Sequence, residues 1–150
     1  MNITVIPSNI EHVKELEYDI READKKEAEA LGMSANKALF YSYKHALIRR
    51  TVLVDGRVAA MFGVCGSPLG VVGQIYLITG NVCDTVNPIR FAKVYMKELK
   101  ALKSLFPVLE NYVHSDHLGA VGMLKLAGFE LSEPIDINGA KFQRFSMVSS

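Results

Sequence analysis

Residues Asn111 to Leu131 read NYVHSDHLGAVGMLKLAGFEL. The first three close a β-type run that begins at Val108, and Ser115, Asp116 and His117 form a short polar loop. From His117 to Ala127 the apolar residues recur at helical spacing, which predicts an amphipathic helix. Gly128-Phe129 then ends the helix and opens a strand to Leu131. The unit is therefore strand, loop, helix, strand.

The same alternation continues upstream. Phe91, Tyr95, Leu99 and Leu102 make one helical stripe, with Asn87 as a cap and Pro88 at the first position, where its missing N–H costs nothing. Pro107 ends that helix. Before it, Gln74 to Thr79 (QIYLIT) is a continuous apolar run, as expected for a buried strand. Asp55-Gly56 predicts a hairpin between Thr51–Val54 and Arg57–Cys65, because its turn needs positive φ. A loop is expected at residues 66–70 and a polar connection at residues 80–86.

At the N-terminal end, residues 2–6 predict a strand. A helix follows with Ile10, Val13, Leu16 and Ile20 on one stripe. Arg21 to Ala30, rich in charge and alanine, predicts an exposed helix that ends near Gly32. Ser34 caps another, with Ala35, Leu39, Tyr43 and Leu47 on its stripe. At the C-terminal end, a turn is expected at Asp136–Gly139 before a last strand, Lys141–Val148. This order implies an α/β protein with a mixed sheet of about six to seven strands and helices on both faces. Residues 1–150 are expected to form one domain, since a chain of 150 residues can bury a full core.

Composition excludes several classes. Hydrophobic content of 49% and charged content of 22% are ordinary for a globular protein. A formal net charge of +1 with scattered Lys and Arg gives no argument for nucleic acid or a membrane surface. No apolar run approaches the roughly 20 residues of a membrane helix, and the N-terminus shows no secretory signal. Cys65 and Cys83 are too few for a disulfide scaffold and read as reduced thiols, and no zinc-ligand spacing occurs. A cytoplasmic location is the expectation.

Ala120 and Gly128-Phe129 carry a resemblance. Together with the element order, they resemble the GNAT superfamily of N-acetyltransferases, over nearly the whole chain. GNAT proteins commonly show Asn-x-x-Ala, a helix with a Tyr, then Gly-Phe. Here His117 stands at the Asn position and Leu124 at the Tyr position. A closer similarity is to a phage-encoded group of GNAT-like proteins that includes the small internal virion protein of podoviruses. It rests on Asp19-Ile20, Glu22-Ala23, residues 76–79, Arg90-Phe91, Lys93, residues 111–113 and Leu124-Lys125.

The resemblance implies direct acetyl transfer from acetyl-CoA to a primary amine of a small molecule or protein. In that fold the central strand's backbone holds the pantetheine arm, and the next helix turns its N-terminus toward the pyrophosphate. The corresponding cofactor-binding residues are Leu77, Ile78 and Thr79, and then Asn87, Ile89 and Arg90. The usual glycine-rich loop is absent: residues 80–90 read GNVCDTVNPIR. His117, of the residue type that exchanges protons near neutrality, and Ser115 are the catalytic candidates; a loop and helix cap is the plainer reading of both. Leu124 cannot donate a proton to a leaving thiolate.

Other residues read more simply. Tyr76 fits a packed aromatic and Cys83 an inert thiol. The charged run Glu22–Glu27 fits a solvated helix face. Tyr41, Tyr43, Lys44 and His45 fit either an acceptor cleft or a packed stripe. The alternative function is a GNAT-like phage protein without catalysis, acting in virion assembly or on a host protein. The resemblance also implies a homodimer through the last strands and, for the phage reading, a place in the virion or host cytoplasm.

Overall fold

The computed structural model describes residues 1–67 and 69–148. The loop expected at residues 66–70 includes Pro68, which lies outside the described residues. Among the described residues, eight strands and five α-helices follow one another. β1 (Ile3–Pro7) leads into α1 (Ile10–Glu17), α2 (Glu22–Ala30) and α3 (Ala35–His45). Then come β2 (Ile48–Val54), β3 (Arg57–Cys65), β4 (Val72–Thr79) and α4 (Pro88–Lys103). The chain closes with β5 (Val108–His114), α5 (Leu118–Leu126), β6 (Glu130–Leu131), β7 (Ile135–Ile137) and β8 (Ala140–Val148).

All eight strands form one sheet in the order β1-β2-β3-β4-β5-β8-β6, with β7 also on β8. The β4–β5 pair is parallel, and the other pairs are antiparallel. This is the mixed α/β sheet that the sequence predicts, with one strand more. Asp136 and Ile137 belong to β7, and only Asn138-Gly139 turns, with φ of 51° and 82°. Asp55-Gly56 turns β2 into β3 in the same way, with φ of 49° and 81°. β8 already has neighbours on both sides, so pairing of this last strand between two copies would require it to leave β6 and β7.

Helices cover both faces, and all but α2 bury apolar side chains against the sheet or one another. α1 and α3 bury Val13, Leu16 and Leu39 against Val58 and Met61. α4 and α5 bury Tyr95, Leu99, Leu102 and Leu124 in the larger core, beside Phe62 and Leu109. Tyr95 meets Phe62 edge-to-face at 5.3 Å between ring centroids. The predicted α1 stripe ends early: Ile20 is buried past the helix end, in a single β-bridge to Gly80. Leu47, expected on the α3 stripe, is exposed beyond that helix. Among the described residues, no helix is long and apolar enough to cross a membrane.

Gly63 in β3 has no room for a side chain. A Cβ there would sit 2.1 Å from the Ile48 carbonyl oxygen and 3.0 Å from the Tyr76 ring and hydroxyl. Gly63→Ala is expected to cost about 1–3 kcal/mol, as overpacked interiors do, measured by urea unfolding. An unchanged midpoint would show that β2 and β3 can part without cost.

Candidate active site

β4 and β5 are neighbours for only part of their length. They pair at Val72–Val108, Gly73–Leu109 and Gln74–Glu110, and then separate. Asn111 spans the start of the gap, its Nδ2 donating to the Ile75 carbonyl at 2.6 Å. Backbone polar groups alternate sides along a strand. The Ile75 carbonyl and the Thr79 N–H point into the gap, and the Gly80 N–H points to β3 through the Ala59 carbonyl. By that alternation the Leu77 N–H and C=O also face the gap, where the β4–β5 ladder has ended. Those of Tyr76 and Ile78 face β3.

The gap opens into a cavity of about 380 Å³. Its walls are largely apolar: Leu77, Val86, Phe91, Met123 and Leu124 on one side, and Ala28, Leu31 and Ala38 on the other. Five ionisable residues, Arg21, Asp24, Glu27, Asp84 and His117, also line it.

Three of these come from the α2 segment. The residues that line the cavity there are 21, 24, 27, 28 and 31, one helical face. Asp24 is far from the solvated residue its charged neighbours suggest, with a side chain only 11% exposed. Its Oδ2 accepts from the Thr79 N–H at 2.6 Å and from Thr79 Oγ1 at 2.7 Å. Burial holds its carboxyl above the usual aspartate value, against the lowering effect of the Thr79 bonds, Arg21 and His117. The Arg21 N–H donates to the Thr79 carbonyl at 3.0 Å, and its Nε to Thr79 Oγ1 at 2.7 Å. α2 is thus latched onto the end of β4.

His117 meets this latch from the opposite wall. Its Nδ1 lies 3.3 Å from Glu27 Oε2, and its Nε2 lies 3.8 Å from Asp24 Oδ1. His117 starts α5, yet its side chain makes no capping bond. The imidazole lines the cavity instead. Ser115 is not brought to it: this hydroxyl is buried without a partner and does not line the cavity. The neighbouring Asp116 N–H is engaged by His114 Nδ1 at 3.1 Å.

The six cofactor candidates divide. Leu77, Ile78 and Thr79 line the cavity; Asn87, Ile89 and Arg90 do not. Asn87 Oδ1 accepts from the Ile89 N–H at 2.9 Å and the Arg90 N–H at 3.4 Å, and the Asn87 carbonyl takes the Phe91 N–H. The Arg90 guanidinium is held by the Met1 carbonyl at 2.7 Å. Just before α4, residues Asn81–Thr85 form a 3-10 turn bound to Asp19, whose Oδ1 and Oδ2 accept from Asn81 Nδ2 and the Val82 N–H.

The remaining candidates are structural. Tyr76 is buried, its hydroxyl has no partner, and burial pushes its phenol well up. Burial likewise raises the Cys83 thiol to about 11, far from a reactive thiolate. Arg49 lies 4.6 Å over the Tyr43 ring and Tyr41 stacks on His45, and none of them lines the cavity; Ala38 and Ser42 of α3 do.

The arrangement can hold a positively charged group between Asp24 and Glu27 and exchange its proton with His117. The apolar walls and the Leu77 amide suit an extended amide-bearing chain. The pantetheine arm of CoA fits this description. The start of α4, with its donors already engaged, does not fit a pyrophosphate.

No protein-family model and no curated protein matches the chain. Solved structures do. One is an acetyltransferase of the GNAT family from Streptococcus pneumoniae, with a TM-score of 0.65, 10% identity, and 99% of this chain and 100% of that one covered. Spermidine N-acetyltransferase from Vibrio cholerae, in complex with CoA and spermine, gives 0.68 and 11% over 97% and 95%. AAC(6')-Ib in complex with ribostamycin and coenzyme A gives 0.68 and 11% over 99% and 94%. At these identities the likeness speaks for architecture alone, and the architecture is the GNAT fold.

Proposed function

We propose that the chain is an N-acyltransferase that moves an acyl group, acetyl in the first instance, from an acyl-CoA thioester to a primary amine. The observation that carries this reading is the parting of β4 from β5, with His117, Asp24 and Glu27 grouped where the gap opens. CoA would supply an activated thioester carbonyl. The Leu77 backbone would hold the arm that bears it, and the apolar walls would exclude water. Asp24 and Glu27 would bind the acceptor as its ammonium form, and His117 would accept the proton that the amine must lose before attack. Leu124 leaves the departing thiolate without a side-chain acid on that wall, so its proton comes back from His117 or from water. The neighbours that bind spermine or ribostamycin support an amine as acceptor.

Acetyl-CoA at millimolar concentration is expected to raise the melting temperature. A ligand at 100 times its Kd adds about 2.7 kcal/mol of stability, and at this chain length each kcal/mol is worth about 2–4 °C. Release of free thiol with a panel of amines then tests transfer. No shift and no thiol would end the acyltransferase reading.

A second reading is favoured by the self-capped start of α4 and by Leu124. Here the fold is kept without catalysis, and the chain binds a phage or host protein, in the virion or in the host cytoplasm. A homodimer, in either reading, would have to form without pairing through β8.

A further inference from the structure

We infer that the acyl donor is held here by its pantetheine arm alone, and that the phosphates of CoA add nothing to its binding. The inference rests on the acyltransferase reading and concerns the far end of the same cavity. A helix start binds phosphate through free N–H groups and the positive end of the dipole. α4 offers none of the three in its first turn: Pro88 has no N–H, and Asn87 Oδ1 takes those of Ile89 and Arg90.

The preceding turn is equally closed. A carboxylate, Asp19, already fills the role an anion would have, accepting from Asn81 and Val82. A second carboxylate, Asp84, lines the cavity and would repel a pyrophosphate. The two cations that could compensate are engaged. Arg21 pairs with Asp84 at 2.8 Å and bonds Thr79, and Arg90 bonds the Met1 carbonyl. The middle of β4 tells the opposite story. The Leu77 N–H and C=O face the gap where the ladder has ended, matching the amides of pantetheine.

Calorimetric titration of the whole protein with acetyl-CoA and with S-acetylpantetheine, which carries no phosphate, tests this. The two dissociation constants are expected to agree within about threefold, and both to hold steady as salt rises, because no phosphate contact is there to be screened. Acetyl-CoA binding more than about tenfold tighter, a difference of about 1.4 kcal/mol, would overturn the inference and leave the acyltransferase standing. Binding of neither would overturn both.

A variant supplies the converse. Asn87→Ala, off the cavity lining, frees the Ile89 and Arg90 amides. It is expected to strengthen acetyl-CoA about tenfold or more while leaving S-acetylpantetheine unchanged. Equal gains for both ligands, or none for acetyl-CoA, would count against the assignment.

Discussion

His117→Ala is expected to lower acyl transfer by about 10²–10⁴-fold, the usual worth of a positioned proton acceptor, while donor affinity stays the same. The imidazole stands between Glu27 at 3.3 Å and Asp24 at 3.8 Å, with a side chain only 11% exposed. Removing it leaves two carboxylates that still attract an ammonium group but no imidazole to take its proton. The defect therefore falls on turnover at saturating amine, and the KM for the amine changes little. Thiol release measured over a range of amine concentrations separates the two. Ser115→Ala serves as a control, since that hydroxyl lies off the cavity. Undiminished turnover in His117→Ala would dismiss His117 from catalysis.

The second large effect belongs to Asp24. Its carboxylate accepts both polar hydrogens of Thr79 and so fastens α2 to the end of β4. Asp24→Ala leaves a buried N–H without a partner and the Thr79 hydroxyl hydrogen without an acceptor, and is expected to cost about 2–4 kcal/mol, given that bonds to a charged group are worth about 1.5–3 kcal/mol. Asp24→Asn keeps an acceptor for Thr79 and removes the buried charge. Its comparison with the native chain also has a pH signature. The folded carboxyl lies above its ordinary value of 3.8. Stability from this group is therefore fully present below that pH and is lost as pH rises through the folded value. The melting temperature of Asp24→Asn relative to the native chain should climb over the same interval. A difference that is flat with pH would mean that burial does not hold this proton.

Much of the architecture was legible because local signals agreed with the final packing. Asn87-Pro88 starts α4, its four-residue stripe is buried, and Asp55-Gly56 turns where the sequence says it should. β7 was missed because three residues beside an Asn-Gly turn carry too little pattern to separate strand from turn. The site was harder. Leu77 to Thr79 could be placed on the central strand, and His117 at the opening. The α2 partners could not. Arg21, Asp24 and Glu27 lie among charged neighbours, so their composition reads as solvated. The one clue was their spacing, three apart and continuous with Ala28 and Leu31, which puts charge on the face that meets the protein. The engaged state of α4 was also hidden. An Asn-Pro start announces a good helix, and the residue that makes it good is the one that uses up its donors.

The strand order has a consequence for how the chain is made. β8 lies between β5 and the short strands β6 and β7, so β6 and β7 have no place in the sheet until residues 140–148 emerge. While the ribosome is still adding those residues, β1 to β4 can already fold with α1 to α3. The far side of β5 must wait. The nascent chain therefore carries an unpaired β5 edge until those residues emerge, and a stall just before residue 140 would leave a half-built sheet suited to aggregation or to capture by a chaperone.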